Sequence, residues 1–281
     1  MPRSRSVLAS FALAVGALHG GCIAYNDSCQ PLVDDPDAVV GYLGHDVLLD
    51  KVFTRHDNNA LGQLVADALL HAEDDSQTPA QLGIVNGGSL RQEGICVTRT
   101  SLRRGPLTDG VLHELILFEN LVVTVDLTEQ ELVNLMEHSV GALYKAGDSI
   151  ASPSGAFLHV SEGTSMTVDC DRPRGARVVA LRVGTRDVAL DPAVNSNSTL
   201  RYRVAMNAYL LDGGDGYGAV LGNAGKNPDR NPVQARMLGG TEANITSAYM
   251  KAKHPTPVQA LMEEQRIVFL NCELPARPAG R

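Results

Sequence analysis

The sequence predicts a mixed α+β domain. Three observations carry this reading. Strand-like and helix-like runs interleave without a regular βαβ rhythm, no internal repeat occurs, and 281 residues suffice for a sizeable buried core. Hydrophobic residues make up 44% and charged residues 20%, which excludes disorder, collagen and coiled coil as whole-chain descriptions. Lys+Arg of 24 against Asp+Glu of 32 gives a net charge of −8. That balance argues against nucleic acid as a partner, because counterion release needs a basic face. A small anion stays compatible, since a few arginines in one cleft act locally.

The N-terminus reads as an export signal over residues 1–21. Arg3 and Arg5 precede an apolar stretch from Val7 to Leu18, too short and wrongly flanked for a membrane helix. Gly20-Gly21-Cys22 resembles a lipobox, so Cys22 is a candidate for lipidation, with ordinary cleavage as the alternative. The expected location is the periplasm or cell envelope. Residues 22–40, with Pro31, Pro36 and several acids, read as a tether; the domain proper is expected over 41–272, and 273–281 read as a tail.

Within the domain, Leu61, Leu64, Val65, Ala68 and Leu69 recur at helical spacing, predicting a helix over 58–71. Leu82–Val85 reads as a short apolar strand running into Gly87-Gly88. A second strand, Leu121–Leu127, leads into Thr128 and Glu131, a capping-box pair that opens a helix carrying Leu132, Leu135, Met136 and Val140 on one face. Strand-like runs follow at Phe157–Val160, Met166–Asp169, Val178–Val183 and Tyr202–Met206. Glycines make a turn over 213–218, and 243–253 and 257–266 read as helices.

Five cysteines are present. With Cys22 set aside, four remain for an oxidising compartment: Cys29, Cys96, Cys170 and Cys272. Four cysteines allow three pairings. Because chain ends often lie close together, we expect Cys29–Cys272 with Cys96–Cys170.

Four segments carry chemical signals: Lys51-x-x-x-Arg55 before the first helix, Asn86-Gly-Gly-Ser-Leu-Arg91 after the buried strand, Leu117-Phe-Glu-Asn120 before the second, and Asn207-Ala-Tyr-Leu-Leu-Asp-Gly-Gly-Asp-Gly-Tyr217 after the last. Loops at strand ends commonly hold binding residues, and glycines let a backbone approach a ligand closely. In this order and spacing, and with Pro106-Leu-Thr108, Glu137-His-Ser139, Gly155-Ala-Phe-Leu-His-Val-Ser161 and Tyr202-Arg-Val-Ala-Met-Asn207, the chain resembles the C-terminal domain of the 5′-nucleotidase family over roughly residues 40–255. That family includes UDP-sugar hydrolases and cyclic-nucleotide phosphodiesterases.

The resemblance implies a layered α/β/β/α fold with mixed sheets and a nucleotide or nucleoside ligand. It implies phosphate contacts from Lys51, Arg55 and Arg91, a base sandwiched by Phe118 and Tyr209, a base-edge hydrogen bond from Asn120, and ribose hydroxyls held by Asp215. Asn58 stands where the family often has Glu.

The family's chemistry belongs to a separate two-metal domain, whose ligands come as His, Asp and Asn clusters. No D-x-H, G-N-H-E/D or G-H-x-H occurs in this sequence. We therefore expect no catalytic residue, metal or cofactor on this chain. The expected function is nucleotide recognition in nucleotide catabolism beside a separately encoded metallophosphoesterase that carries the metals. The alternative is a stand-alone, non-catalytic nucleotide-binding lipoprotein of the envelope.

Overall fold

A computed structural model describes residues 29–72, 77–95, 97–221 and 236–277. The signal segment, Cys22 and Cys96 lie outside the described residues. In chain order the elements are β1 (Val39–Leu43), β2 (Val47–Leu48), α1 (Lys51–His56), α2 (Ala60–His71), β3 (Leu82–Asn86), β4 (Ser101–Leu102), β5 (Gly105–Thr108), α3 (Asp109–Leu115) and β6 (Leu121–Thr128). Then come α4 (Glu129–Val140), β7 (Leu158–Val160), β8 (Thr164–Asp169), β9 (Val178–Val183), β10 (Arg186–Asp187), α5 (Pro192–Asn195) and β11 (Arg201–Asn207). The remainder is α6 (Ala208–Leu211), α7 (Gly218–Leu221), β12 (Arg236–Thr241), α8 (Glu242–Lys253) and β13 (Ile267–Leu270).

The central sheet has five strands in the order β12-β6-β11-β3-β7, and a second sheet has four in the order β10-β9-β8-β13. Both are mixed: β11 runs parallel to β3, and β13 parallel to β8, while their other pairings are antiparallel. The layered mixed fold expected from the sequence is therefore present.

Alternation along the central strands builds the core on both faces. Val123, Val125, Leu127, Tyr202, Val204 and Met206 join α4 and the four-stranded sheet in one apolar cluster. Val122, Val85 and Ala205 face the other way, into a cluster with α2, α3 and α8. Helix α2 sits so close to β3 that a Cβ on Gly83 would collide with the helix backbone at Ala66 and Leu70.

Local signals act as the sequence suggests. The Asn59 side chain accepts from Leu61 N at 3.0 Å and starts α2. Thr128 and Glu131 form both halves of a capping box on α4.

Two expectations are overturned. Residues 257–266 form only a 3₁₀ turn at Pro257–Gln259 and then run extended into β13. Their backbone groups are taken from outside: Leu261 N donates to Tyr42 O at 2.8 Å, Gly44 N to Leu261 O at 2.9 Å, and Glu264 N to Gln63 Oε1 at 2.9 Å. Among the described residues a disulfide joins Cys170 to Cys272, which overturns both expected pairings, Cys29–Cys272 and Cys96–Cys170. Parallel pairing of β13 with β8 sets Leu270 opposite Asp169, which brings the two cysteines together just beyond the strand ends. Cys29 is also disulfide-bonded.

Candidate functional site

The strand directions gather one cluster of loops. β3 and β11 are parallel, so Asn86 and Asn207 end at the same edge of the central sheet. β6 is antiparallel to β11 and starts at that edge, just after Asn120; β12 ends there at Thr241, where α8 begins. β7 also starts there, after Gly155. The result is a cavity of about 360 Å³ lined by Arg55, Asn86, Gly88, Ser89, Arg91, Phe118, Asn120, Gly155, Tyr209 and Asp215.

One side of the cavity is cationic. Arg55 comes from α1, whose backbone at Thr54 passes so near Gly87 that any side chain there would collide with it. Burial lowers the Arg55 pKa from its ordinary value, and the neighbouring Arg91 charge lowers it further, against smaller opposing effects from Asp215 and Glu93. Arg55 donates from one guanidinium nitrogen to Pro153 O at 3.3 Å, while its buried Nε has no partner. A buried donor without a partner is costly, and two guanidinium groups drawn together are repulsive. Both features suit an anion in the cavity.

The aromatic walls are Phe118 and Tyr209. The Arg91 guanidinium lies 4.4 Å from the Phe118 ring centroid, a cation–π contact on one face of the ring. Tyr209 lines the cavity and is 43% exposed, so its ring is open to a ligand. Its hydroxyl donates to Asp215 Oδ1 and accepts from Asp215 N, each at 3.1 Å.

Asp215 occupies the left-handed region at φ 50°, a conformation Asp tolerates better than most residues. Three groups hold it: Tyr209, Asn86 Nδ2 donating to Oδ2 at 2.7 Å, and His138 Nε2 donating to its backbone oxygen at 2.9 Å. A carboxylate offers about four acceptor positions, so Asp215 retains capacity for ligand hydroxyls. A Cβ on Gly88 would lie 2.9 Å from both Asp215 Oδ2 and Asn86 Nδ2, so the carboxylate reaches its place only because residue 88 is glycine.

Behind the wall lies a polar network. Asn207 Nδ2 donates to Glu242 Oε1 at 2.8 Å and also reaches Asn86 Oδ1 and Ser89 Oγ at 3.1 and 3.2 Å. Asn120 Nδ2 donates to Glu242 Oε2 at 3.1 Å. Glu242 is fully buried, and burial raises its pKa to about 7 against the smaller stabilising effect of the two amides.

With this geometry in view, sequence comparison matches residues 39–222 to the family described as 5′-nucleotidase, C-terminal domain. The chain belongs to that family. The trifunctional nucleotide phosphoesterase protein YfkN of Bacillus subtilis (strain 168) is 29% identical over 252 residues, covering 85% of this chain and 16% of the relative. An apyrase of Tabanus yao is 26% identical over 182 residues, covering 63% of this chain and 30% of the relative. A crystal structure of a 5′-nucleotidase precursor from Thermus thermophilus gives a TM-score of 0.63 at 26% identity, covering 83% of this chain and 39% of that one. This chain thus spans well under half the length of each of these proteins.

For this 5′-nucleotidase C-terminal domain, six of the residues singled out from sequence converge: Arg55, Arg91, Phe118, Asn120, Tyr209 and Asp215 line one cavity. Lys51 does not line it. It is exposed and ion-paired with Glu93 at 2.9 Å. Asn58 also turns elsewhere, donating to Ile267 O at 2.8 Å and accepting from Ile267 N at 3.0 Å, which fixes β13. Sequence reasoning did not single out Asn86, Ser89, His138, Asn207 or Glu242 as site residues. The first four lie inside segments already noted; Glu242 lies outside them, with no local signal beyond its place at the start of a helix. Among the described residues no group of three or more His, Cys, Asp or Glu is placed to hold a metal ion, and no helix is long and apolar enough to cross a membrane.

Proposed function

We propose that this domain binds a nucleotide and presents it to a metallophosphoesterase that cleaves the phosphate ester. The observation that carries the reading is the Arg55–Arg91 pair, with its unsatisfied buried Nε, beside two aromatic walls and the Asp215 carboxylate. Phosphate would meet the guanidinium groups, which suit its geometry bidentately. The base would stack between Tyr209 and Phe118, the ribose hydroxyls would donate to Asp215, and Asn120 would meet the base edge. Family membership and relatives named as nucleotidases and nucleotide phosphoesterases support the same ligand class. In this proposal the chain is exported, the two metals belong to the catalytic protein, and Lys51 takes no part in binding free ligand while Glu93 holds it.

Calorimetric titration with AMP, UMP and adenosine tests the reading. Nucleotide binding should weaken by about 1–3 kcal/mol in Phe118→Ala, the usual worth of one stacked base. Full affinity in that variant, or no binding of any nucleotide at millimolar concentration, would remove the proposal. Phosphate release by this chain alone with added Mn²⁺ would overturn the division of labour.

A further inference from the structure

We propose that Glu242 is a specificity-determining positioning residue, which turns the Asn120 amide so that its carbonyl oxygen faces the ligand and selects a base with an amino or ring N–H donor at that point. The inference rests on the nucleotide reading above and deepens it.

The argument begins with Asn207. Its Oδ1 accepts from Leu210 N at 3.0 Å as the cap of α6. Its Nδ2 therefore has to face the network, and it donates to Glu242 Oε1 at 2.8 Å. One carboxylate oxygen is thereby committed. The other, Oε2, accepts from Asn120 Nδ2 at 3.1 Å, and the backbone N–H of Glu242 donates to Asn120 O at 3.0 Å, which ties this loop to the start of α8. An ionised carboxylate only accepts hydrogen bonds. Asn120 must then turn its NH₂ inward, and its Oδ1 becomes the outward acceptor on the cavity wall.

Protonation reverses the geometry at one amide only. A neutral Glu242 carries one O–H donor. Asn207 cannot take that donor, because flipping its amide would break the cap to Leu210. The proton therefore goes to Oε2, Asn120 turns over, and its NH₂ faces the ligand in place of the oxygen. The site then selects an acceptor where it previously selected a donor. Glu242 is buried among neutral groups: Asn120 from the loop before β6, Asn207 from β11, and Asn86 and Ser89 behind them. The charged groups on neighbouring segments are held by other partners: Asp215 is bonded to Asn86, Arg91 lies against Phe118, and on α3 Asp109 pairs with His113, which reaches Asn244 at 3.2 Å. Among the described residues none makes an ion pair with Glu242, so burial dominates and half-protonation falls at about pH 7.

Glu242→Gln imitates the protonated acid at every pH, since its amide can donate to Asn120 while its oxygen still accepts from Asn207. AMP and IMP are the probes, because their ring edges exchange donor for acceptor at both the 6-position and N1. In the wild-type protein the ratio of AMP to IMP affinity should change about tenfold between about pH 6 and about pH 8. In Glu242→Gln it should stay at its low-pH value throughout. Changes in phosphate charge cancel in this ratio. A second reading needs no ligand: the side-chain amide resonances of Asn120, assigned by their loss in Asn120→Ser, should titrate with a midpoint at about pH 7 in the wild type and stay flat in Glu242→Gln. A ratio constant within about twofold, or an amide that does not titrate, overturns the inference and leaves nucleotide binding standing. Failure of both nucleotides to bind overturns the nucleotide reading and this specificity role with it, and the amide titration tells whether the switch itself exists.

Discussion

Buried ionisable groups give single residues a measurable pH signature in this fold. Glu242 has a folded pKa of about 7, raised from 4.5 by burial. An acid with a raised pKa contributes stability that is complete below its unfolded value and is lost as pH rises through the folded value. His159, fully buried with its Nε2 donating to Thr54 O at 2.8 Å, is pushed down to about 4 by burial. Its contribution has the opposite sign: present above the unfolded value near 6.5, and lost as pH falls toward 4. The two effects oppose each other where their windows overlap, so the wild-type profile alone would conceal both. The difference between wild type and Glu242→Gln isolates the acid. Relative to wild type, the variant should gain about 3 kcal/mol between about pH 4.5 and pH 8 in denaturant unfolding. A difference independent of pH would show that Glu242 is not titrating in the fold. Legibility at this scale followed motif membership. Arg55, Arg91, Phe118, Asn120, Tyr209 and Asp215 sit in segments with a recognisable wording, whereas Glu242 acquires its environment only when β12 ends beside Asn120 and Asn207.

Elements were readable where their own chain supplied the signal. The helix α4 declares itself through Thr128, Glu131 and an apolar face, and it forms as expected. Strands β6 and β11 carry the alternation that places residues on two buried faces, whereas β9 buries Val178, Leu181 and Val183 in one cluster and leaves Ala180 and Arg182 exposed. The short strands β1 and β5 and the helix α3 were missed, because their place depends on partners distant in sequence: Gly41 lies opposite Leu107, and Asp109 N donates to Ala38 O at 2.9 Å. The 257–266 segment misled for the same reason, its helical spacing losing to hydrogen bonds from β1, α2 and the His45 loop. A test at this scale uses Gly62 on α2, where an added Cβ would fall on the His159 ring. Gly62→Ala should improve intrinsic helix propensity and still destabilise the protein by about 1–3 kcal/mol, because the ring cannot withdraw from its bond to Thr54 without strain. Increased stability would mean that α2 and β7 are not packed as described.

Across the whole molecule, an acidic chain of net charge −8 encloses a cavity with two neighbouring guanidinium groups. Total charge argues against a nucleic-acid partner and says nothing of this local site. The layered architecture was legible through resemblance, while the covalent framework was not. Proximity of chain ends suggested one pairing, and the register of β13 on β8 produced another, Cys170–Cys272. That bond spans a sequence separation of 102 residues. Replacing both cysteines by serine should cost about 2–5 kcal/mol of stability through the freed unfolded chain. Neither cysteine lines the cavity, so nucleotide affinity at temperatures where the variant stays folded should change less than about twofold.

The most direct test of nucleotide recognition is a calorimetric comparison of AMP with adenosine in the wild type and in Arg55→Ala. If the Arg55–Arg91 pair holds phosphate, AMP should bind the wild type at least about tenfold more tightly than adenosine, and Arg55→Ala should remove most of that advantage while shifting adenosine by less than about twofold. Equal affinities for AMP and adenosine in the wild type, or equal weakening of both by the substitution, would contradict a phosphate site at these two arginines.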